Sequence, residues 1–122
     1  MTTMNDSETL YGSRIGVDVG RARVGLAATD PAGILATPID TLKRDADDLS
    51  DLHRIVAEAT ERSAVRVYVG DPINLRGKKT ASTDDAHLFA RQLAHLLTAA
   101  GLSTQVRLID ERLSTVSASQ KL

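Results

Sequence analysis

The apolar spacing of this chain changes period partway along, and that change limits the fold more than any other feature. Three short strand-like runs come first: Arg14–Val19, Val24–Thr29 and Ile34–Leu42. Gly20 ends the first run, and Asp30-Pro31-Ala32-Gly33 supplies a turn between the second and third, with Pro fixing φ and Gly allowing a positive one. Pro38 removes a ladder donor and sends part of the third run to a sheet edge. From Asp47 to Arg62 the apolar residues instead recur every three or four positions, at Leu49, Leu52, Val56 and Ala59 with Ile55 beside them, which is a helical stripe. Asp47, Asp48 and Asp51 fall in its expected first turns, where negative charge suits the helix dipole.

A second helix and two further strands complete the pattern. Val65–Val69 has strand composition and stops at Gly70-Asp71-Pro72, and the polar loop Asn74–Lys79 follows. Ser82 and Asp85 have capping-box spacing. Ala86, Phe89, Leu93, Leu96, Leu97 and Ala100 then line one helical face, and Gly101 stops that helix. Thr104–Ile109 is the last strand, with Asp110-Glu111-Arg112 at its end, and Ser114 onward reads as the opening of another helix. The order β-β-β-α-β-α-β predicts an α/β fold: an antiparallel three-stranded meander, then two α/β units, in one mixed five-stranded sheet with helices on its faces. The helix opening at Ser114 stops short, so the sheet is expected to lack a final covering helix.

At 122 residues, 31 of them Val, Ile, Leu or Phe, the chain has the length and apolar content of one folded domain. The expected division is a loose polar leader over 1–13 and the domain over 14–122. That leader has no basic segment followed by an apolar one, so it does not read as a secretory signal, and no apolar run is long enough to span a membrane. A cytoplasmic location is the expectation. The sequence carries no signal for an oligomeric state. Net charge is −1, there is no Cys or Trp, and only three aromatic residues occur. Disulfides, thiolate zinc sites and cysteine nucleophiles are excluded, as is a uniformly basic nucleic-acid coat, though not a local basic patch.

Ligands of open α/β sheets gather at the carboxyl ends of the parallel strands. Asp18, Asp71, Asp110 and Glu111 sit at or near those ends. Carboxylates gathered at one rim suit Mg²⁺ or Mn²⁺, since hard cations prefer oxygen ligands. Asp18 reads equally as a buried carboxylate paired with Arg23 or Arg14. Arg21, Arg23, Arg76, Lys78, Lys79 and Arg112 occupy loops on the same inferred edge, an arrangement suited to bringing a phosphate to a metal or simply to solvated loops. His53, His87 and His95 fall on helices and read as surface or boundary residues. Gly16-Val-Asp-Val-Gly20 reads as a phosphate approach or as a tight turn, and a strand Asp before a glycine turn also occurs in sugar-kinase and actin-like ATPases.

Ile15-Gly-Val-Asp-Val-Gly20 with Arg23-Val-Gly-Leu-Ala27 resembles the opening motif of the YqgF/RuvX family, RNase H-like proteins related to Holliday-junction resolvases and regarded as pre-16S rRNA nucleases. Val69-Gly70, Pro72 and Asn74–Gly77 resemble its second motif, and Asp110-Glu-Arg-Leu-Ser-Thr115 its third. The resemblance implies an RNase H-like fold and a nuclease dependent on Mg²⁺ or Mn²⁺. Asp18 would be the first catalytic metal ligand and Glu111 the second. Asn74, Arg76 and Arg112, with Arg21, Arg23, Lys78 and Lys79, would lie along the nucleic acid, expected to be precursor 16S rRNA in a pre-ribosomal particle. Asp71 and Arg76 depart from the second motif. Asp71 stands where related resolvases carry a carboxylate, so it is either a third ligand or a neutral loop substitution. The resemblance also implies a further Asp on a final helix. Without it, the alternative is an inactive nucleic-acid-binding module. A DNA resolvase and half of a sugar-kinase-like ATPase rank below both.

Overall fold

The computed structural model describes residues 11–32, 35–71 and 81–110. Five strands form one sheet in the order β3-β2-β1-β4-β5. They are β1 Arg14–Val19, β2 Arg23–Thr29, β3 Ala36–Lys43, β4 Arg66–Asp71 and β5 Gln105–Asp110, with helix α1 over Ser50–Arg62 and α2 over Ala81–Ala99. The first three strands pair antiparallel, Val17 opposite Leu26 and Val24 opposite Leu42. β4 runs parallel to β1 and β5 parallel to β4. This is the mixed sheet that the sequence order implies.

Both helices cover one face. Ile15 and Val17 of β1, Val24, Leu26 and Ala28 of β2, and Val67 and Val69 of β4 share a buried core with Leu52, Ile55 and Ala59 of α1 and Ala86, Phe89, Leu93 and Leu97 of α2. The two-residue alternation of the strands and the stripes of the helices meet on this side. Phe89, the lone Phe, is 2% exposed. β3 is an edge, as Pro38 requires. Its register shifts opposite Leu26 and Ala27, which pair with Asp40 and Pro38, so Ile39 is an extra residue that packs against the core.

Several boundaries differ from the sequence expectation for local reasons. Helix α1 starts at Ser50, not Asp47. Asp45 holds the preceding turn: its Oδ1 accepts the N–H groups of Asp47 and Asp48, and its Oδ2 accepts both the N–H and the hydroxyl of Ser50. Leu49 is left-handed, at φ 57°. Both helices end in the paired bonds of a Schellman motif. Ser63 and Ala64 donate to Thr60 and Ala59 after α1, and Gly101 and Leu102 donate to Thr98 and Leu97 after α2. Ser63, though not a glycine, sits at φ 51°, and Gly101 at φ 80°. Helix α2 already includes Ala81, so Ser82 lies inside it. The expected capping box is therefore corrected: both oxygens of Asp85 accept bonds from Arg44 instead. Ala100 lies just past the helix and is exposed, not on its buried stripe. Among the described residues no helix is long and apolar enough to cross a membrane.

Candidate active site on the open sheet face

No described helix packs on the second face of the sheet. Strand alternation turns Gly16 and Asp18 of β1, Gly25 and Ala27 of β2, Tyr68 and Gly70 of β4 and Ile109 of β5 toward it, and they line a groove of about 750 Å³ with residues of β3. Glycine opposite Asp18 (the pair is Asp18 and Gly25) leaves the carboxylate uncovered. Asp18 is exposed. Of the two readings of Asp18, the buried carboxylate is the one overturned: the residue lies inside an apolar strand, but its side of that strand bears no packed layer among the described residues. Among those residues Asp18 makes no ion pair, so pairing with Arg14 or Arg23 is not observed. Arg14 is buried at the other end of β1, where one guanidinium nitrogen donates to the Gly12 carbonyl.

The turn from β1 to β2 carries Arg21, and Arg23 opens β2 directly after it; both are exposed. The Gly20 N–H donates to the Arg23 carbonyl at 2.8 Å. Arg23, Gly25 and Ala27 alternate along the open side of β2, which puts Arg23 on the same face as Asp18. Tyr68 is half-buried in the groove rather than part of the core.

Asp71 is the last residue of β4 and points to the other face. With Val67 and Val69 it lies on the helix-covered side, where its Oδ2 is 2.9 Å from Nε2 of His87 on α2. Its Oδ1 is buried without a partner among the described residues. The structure does not bring Asp71 to Asp18; the alternation of β4 puts Gly70 on Asp18's side. Asp110 is paired in register with Asp71 at the end of β5. Asn74, Arg76, Lys78, Lys79, Glu111 and Arg112 lie outside the described residues.

Sequence reasoning passed over Arg44, and it read His87 only as a surface or boundary residue. Arg44 joins three elements. Its Nη1 donates to the Gly20 carbonyl at 2.7 Å and to Asp85 at 2.8 Å, and its Nη2 donates to Asp85 at 2.9 Å. Its Nε is 3.6 Å from Asp51, and its guanidinium carbon is 5.4 Å from the centre of the Phe89 ring. The hydrogen bond from Arg44 holds the Asp85 carboxyl below its ordinary range, against the opposing effect of burial. A single Arg after a strand carries no signal of such a role. His87 is half-buried, as a boundary residue would be, but no spacing rule links it to Asp71.

As a metal site the described residues are incomplete. Asp18 supplies exposed hard oxygen donors of the type Mg²⁺ and Mn²⁺ accept, yet the described residues contain no group of three His, Cys, Asp or Glu able to hold an ion. Asp40 of β3 also borders the groove, but its carboxylate is engaged by Arg54 of α1 at 3.1 Å, so a second ligand is sought beyond the described residues.

Comparison with known proteins narrows the reading. The family model described as "RuvX: Holliday junction resolvase" matches residues 12–122. A Clavibacter michiganensis protein named "Putative pre-16S rRNA nuclease" is 52% identical over 111 residues, covering 91% of this chain and 66% of its own length. A protein of the same name from Mycobacteroides abscessus is 46% identical, covering 91% of this chain and 64% of the relative. The chain thus spans just under two-thirds of the length of these relatives. Among solved structures, Thermus thermophilus RuvC in complex with a Holliday junction substrate superposes with a TM-score of 0.55 at 15% identity, covering 82% of this chain and 65% of RuvC. A second T. thermophilus RuvC structure gives 0.52 at 18% identity, with 80% and 63% covered. At that identity the likeness establishes the RNase H-like fold alone, while the family match over nearly the whole chain establishes kinship: this chain belongs to the RuvX family.

Proposed function

We propose that this chain carries the sheet of a metal-dependent nuclease that hydrolyses phosphodiester bonds in structured RNA, acting in the cytoplasm on the 5′ end of precursor 16S rRNA. The observation that carries the reading is Asp18: an exposed carboxylate, unpaired among the described residues, on the open sheet face beside a turn that presents Arg21 and Arg23. Kinship with proteins named for pre-16S rRNA supports the choice of substrate.

Asp18 and Glu111 would hold Mg²⁺ or Mn²⁺. Glu111 follows directly on Asp110 and stands two residues beyond Ile109, which lines the same groove as Asp18. A divalent ion bound there supplies an activated water and neutralises charge on the leaving oxygen. The chain's own residues bind and orient. Arg21 and Arg23, with Asn74, Arg76, Lys78, Lys79 and Arg112, hold backbone phosphates and set the scissile one against Asp18. Phosphate contacts of this kind fix register without reading sequence.

The test compares the wild-type chain, Asp18→Asn and Glu111→Gln on precursor 16S rRNA fragments with Mn²⁺, and on a four-way DNA junction. Loss of RNA cleavage in both variants is expected. Undiminished cleavage by either variant removes that residue from the site, and cleavage of the junction alone replaces the RNA assignment with a DNA one.

One observation favours a second reading, an inactive nucleic-acid-binding module: the described residues form no three-ligand group around Asp18. Salt-sensitive RNA binding without cleavage at any Mn²⁺ concentration would select it.

A further inference from the structure

We propose that Arg44 is the positioning residue of the nucleic-acid site: it clasps the turn between β1 and β2 and so aims Arg21 and Arg23 at the phosphate backbone. The proposal rests on the nuclease reading above and adds a residue to it.

Arg44 grips the turn twice. Its backbone N–H donates to the Ala22 carbonyl at 3.0 Å, and its Nη1 donates to the Gly20 carbonyl at 2.7 Å. Arg21 therefore stands between two held carbonyls. The turn is tight in its own right. A Cβ at Gly20 would meet the Arg23 carbonyl oxygen at 3.0 Å, so the chain there has little room to adjust.

The grip is aimed from behind. Both nitrogens of the guanidinium fork engage Asp85 in the first turns of α2, Asp51 in the first turn of α1 lies on its Nε side, and the Phe89 ring lies beneath. A bidentate Arg–carboxylate pair fixes the plane of the guanidinium, and that plane fixes where Nη1 points. The pair is partly exposed, so its contribution to stability is small; its distinctive effect is geometric. It ties the Arg21–Arg23 turn to the start of α2, which in sequence directly follows the loop bearing Arg76, Lys78 and Lys79. Holding the turn before binding removes part of the ordering cost that flexible arginines carry on association. Lysine cannot substitute, because one ammonium cannot engage two carboxylate oxygens and a carbonyl in a single plane.

The test uses the full chain and its Arg44→Lys variant, with Asp85→Asn as a second variant that leaves Arg44 in place but releases its fork. Two readouts are taken: hydrogen exchange at the Gly20 amide, and affinity for a labelled RNA hairpin as a function of salt. Both variants are expected to unfold cooperatively as the wild type does and to exchange the Gly20 amide faster. RNA affinity should fall about fivefold, and the salt slope by about one for each phosphate that is no longer neutralised. In an Arg21→Ala/Arg23→Ala background, Arg44→Lys should cost no further affinity, because it acts through those two residues. Equal losses in both backgrounds, or faster exchange with unchanged affinity, would overturn the role of Arg44 and leave the nuclease reading standing. A wild-type chain that binds no RNA would overturn the nuclease reading itself, and this proposal with it.

Discussion

Asp71 and His87 meet on the helix-covered side of the sheet, Oδ2 to Nε2 at 2.9 Å, while Asp18 faces out from the opposite side. Asp71 thus belongs to the joint between β4 and α2. Replacing Asp71 by Ala removes the bond and is expected to lower stability by about 1 kcal/mol. His87→Ala should cost a similar amount, and the double variant little more than either alone, since both remove one interaction. Urea unfolding reads these values. The Mn²⁺ midpoint for RNA cleavage should stay at the wild-type value in Asp71→Asn; a raised midpoint would return Asp71 to the metal site.

The architecture was legible because periodicity records which side of an element is buried. Ile15, Val17, Val67 and Val69 alternate, Leu52, Ile55 and Ala59 recur at helical spacing, and all of them meet in one core. The same alternation reports nothing about a side left uncovered. Asp18 in an apolar strand looks buried until the second face is seen to carry no described helix, and Asp71 looks like a rim carboxylate until the strand is seen to continue through it and turn it inward. Arg44 was illegible for a different reason. Its partners Gly20, Asp51 and Asp85 are scattered along the chain and become neighbours only once three elements have packed.

Ser63 occupies the left-handed position that closes α1, with φ 51° and ψ 46°, and it is exposed. A side chain in that conformation is strained where glycine is not. Ser63→Gly is expected to stabilise the domain by about 0.5–1 kcal/mol, net of the greater freedom of glycine in the unfolded chain. Thermal and urea unfolding should both report the gain. A loss of stability would mean that the hydroxyl contributes more than the backbone strain costs.

Acid stability should depend on Asp45. Its carboxyl is lowered to about 2, first by the Ser50 hydroxyl and then by backbone N–H groups of the turn that leads into α1. A carboxylate with a folded value below its unfolded one binds fewer protons in the folded state, so it stabilises the fold above the unfolded value of 3.8. That contribution fades as pH falls from there through about 2. Asp45→Ala should therefore destabilise the chain at neutral pH and flatten the decline of stability across that acid window. Asp85 and Glu58, also held low by arginines, would still give a residual slope. The urea midpoint measured through the window decides it; a slope as steep as wild type would mean that the turn around Asp45 does not persist in solution.

The open setting of Asp18 can be closed by substitution at its cross-strand partner. Gly25 faces Asp18 directly, and a Cβ built there would lie 3.9 Å from the Asp18 Cβ, an ordinary van der Waals separation. Gly25→Ala should therefore fold normally. Gly25→Val also suits a strand, but its branched methyls would crowd the carboxylate on the open face. Stability should be unchanged or slightly raised in both variants. RNA cleavage should fall modestly in Gly25→Ala and by about a hundredfold in Gly25→Val, the scale of loss that follows when a reacting group is misplaced by about 1 Å. The Mn²⁺ midpoint should rise in the same order. If Gly25→Val cleaved RNA at the wild-type rate with the wild-type Mn²⁺ dependence, the open face around Asp18 would not be where the phosphodiester is cut.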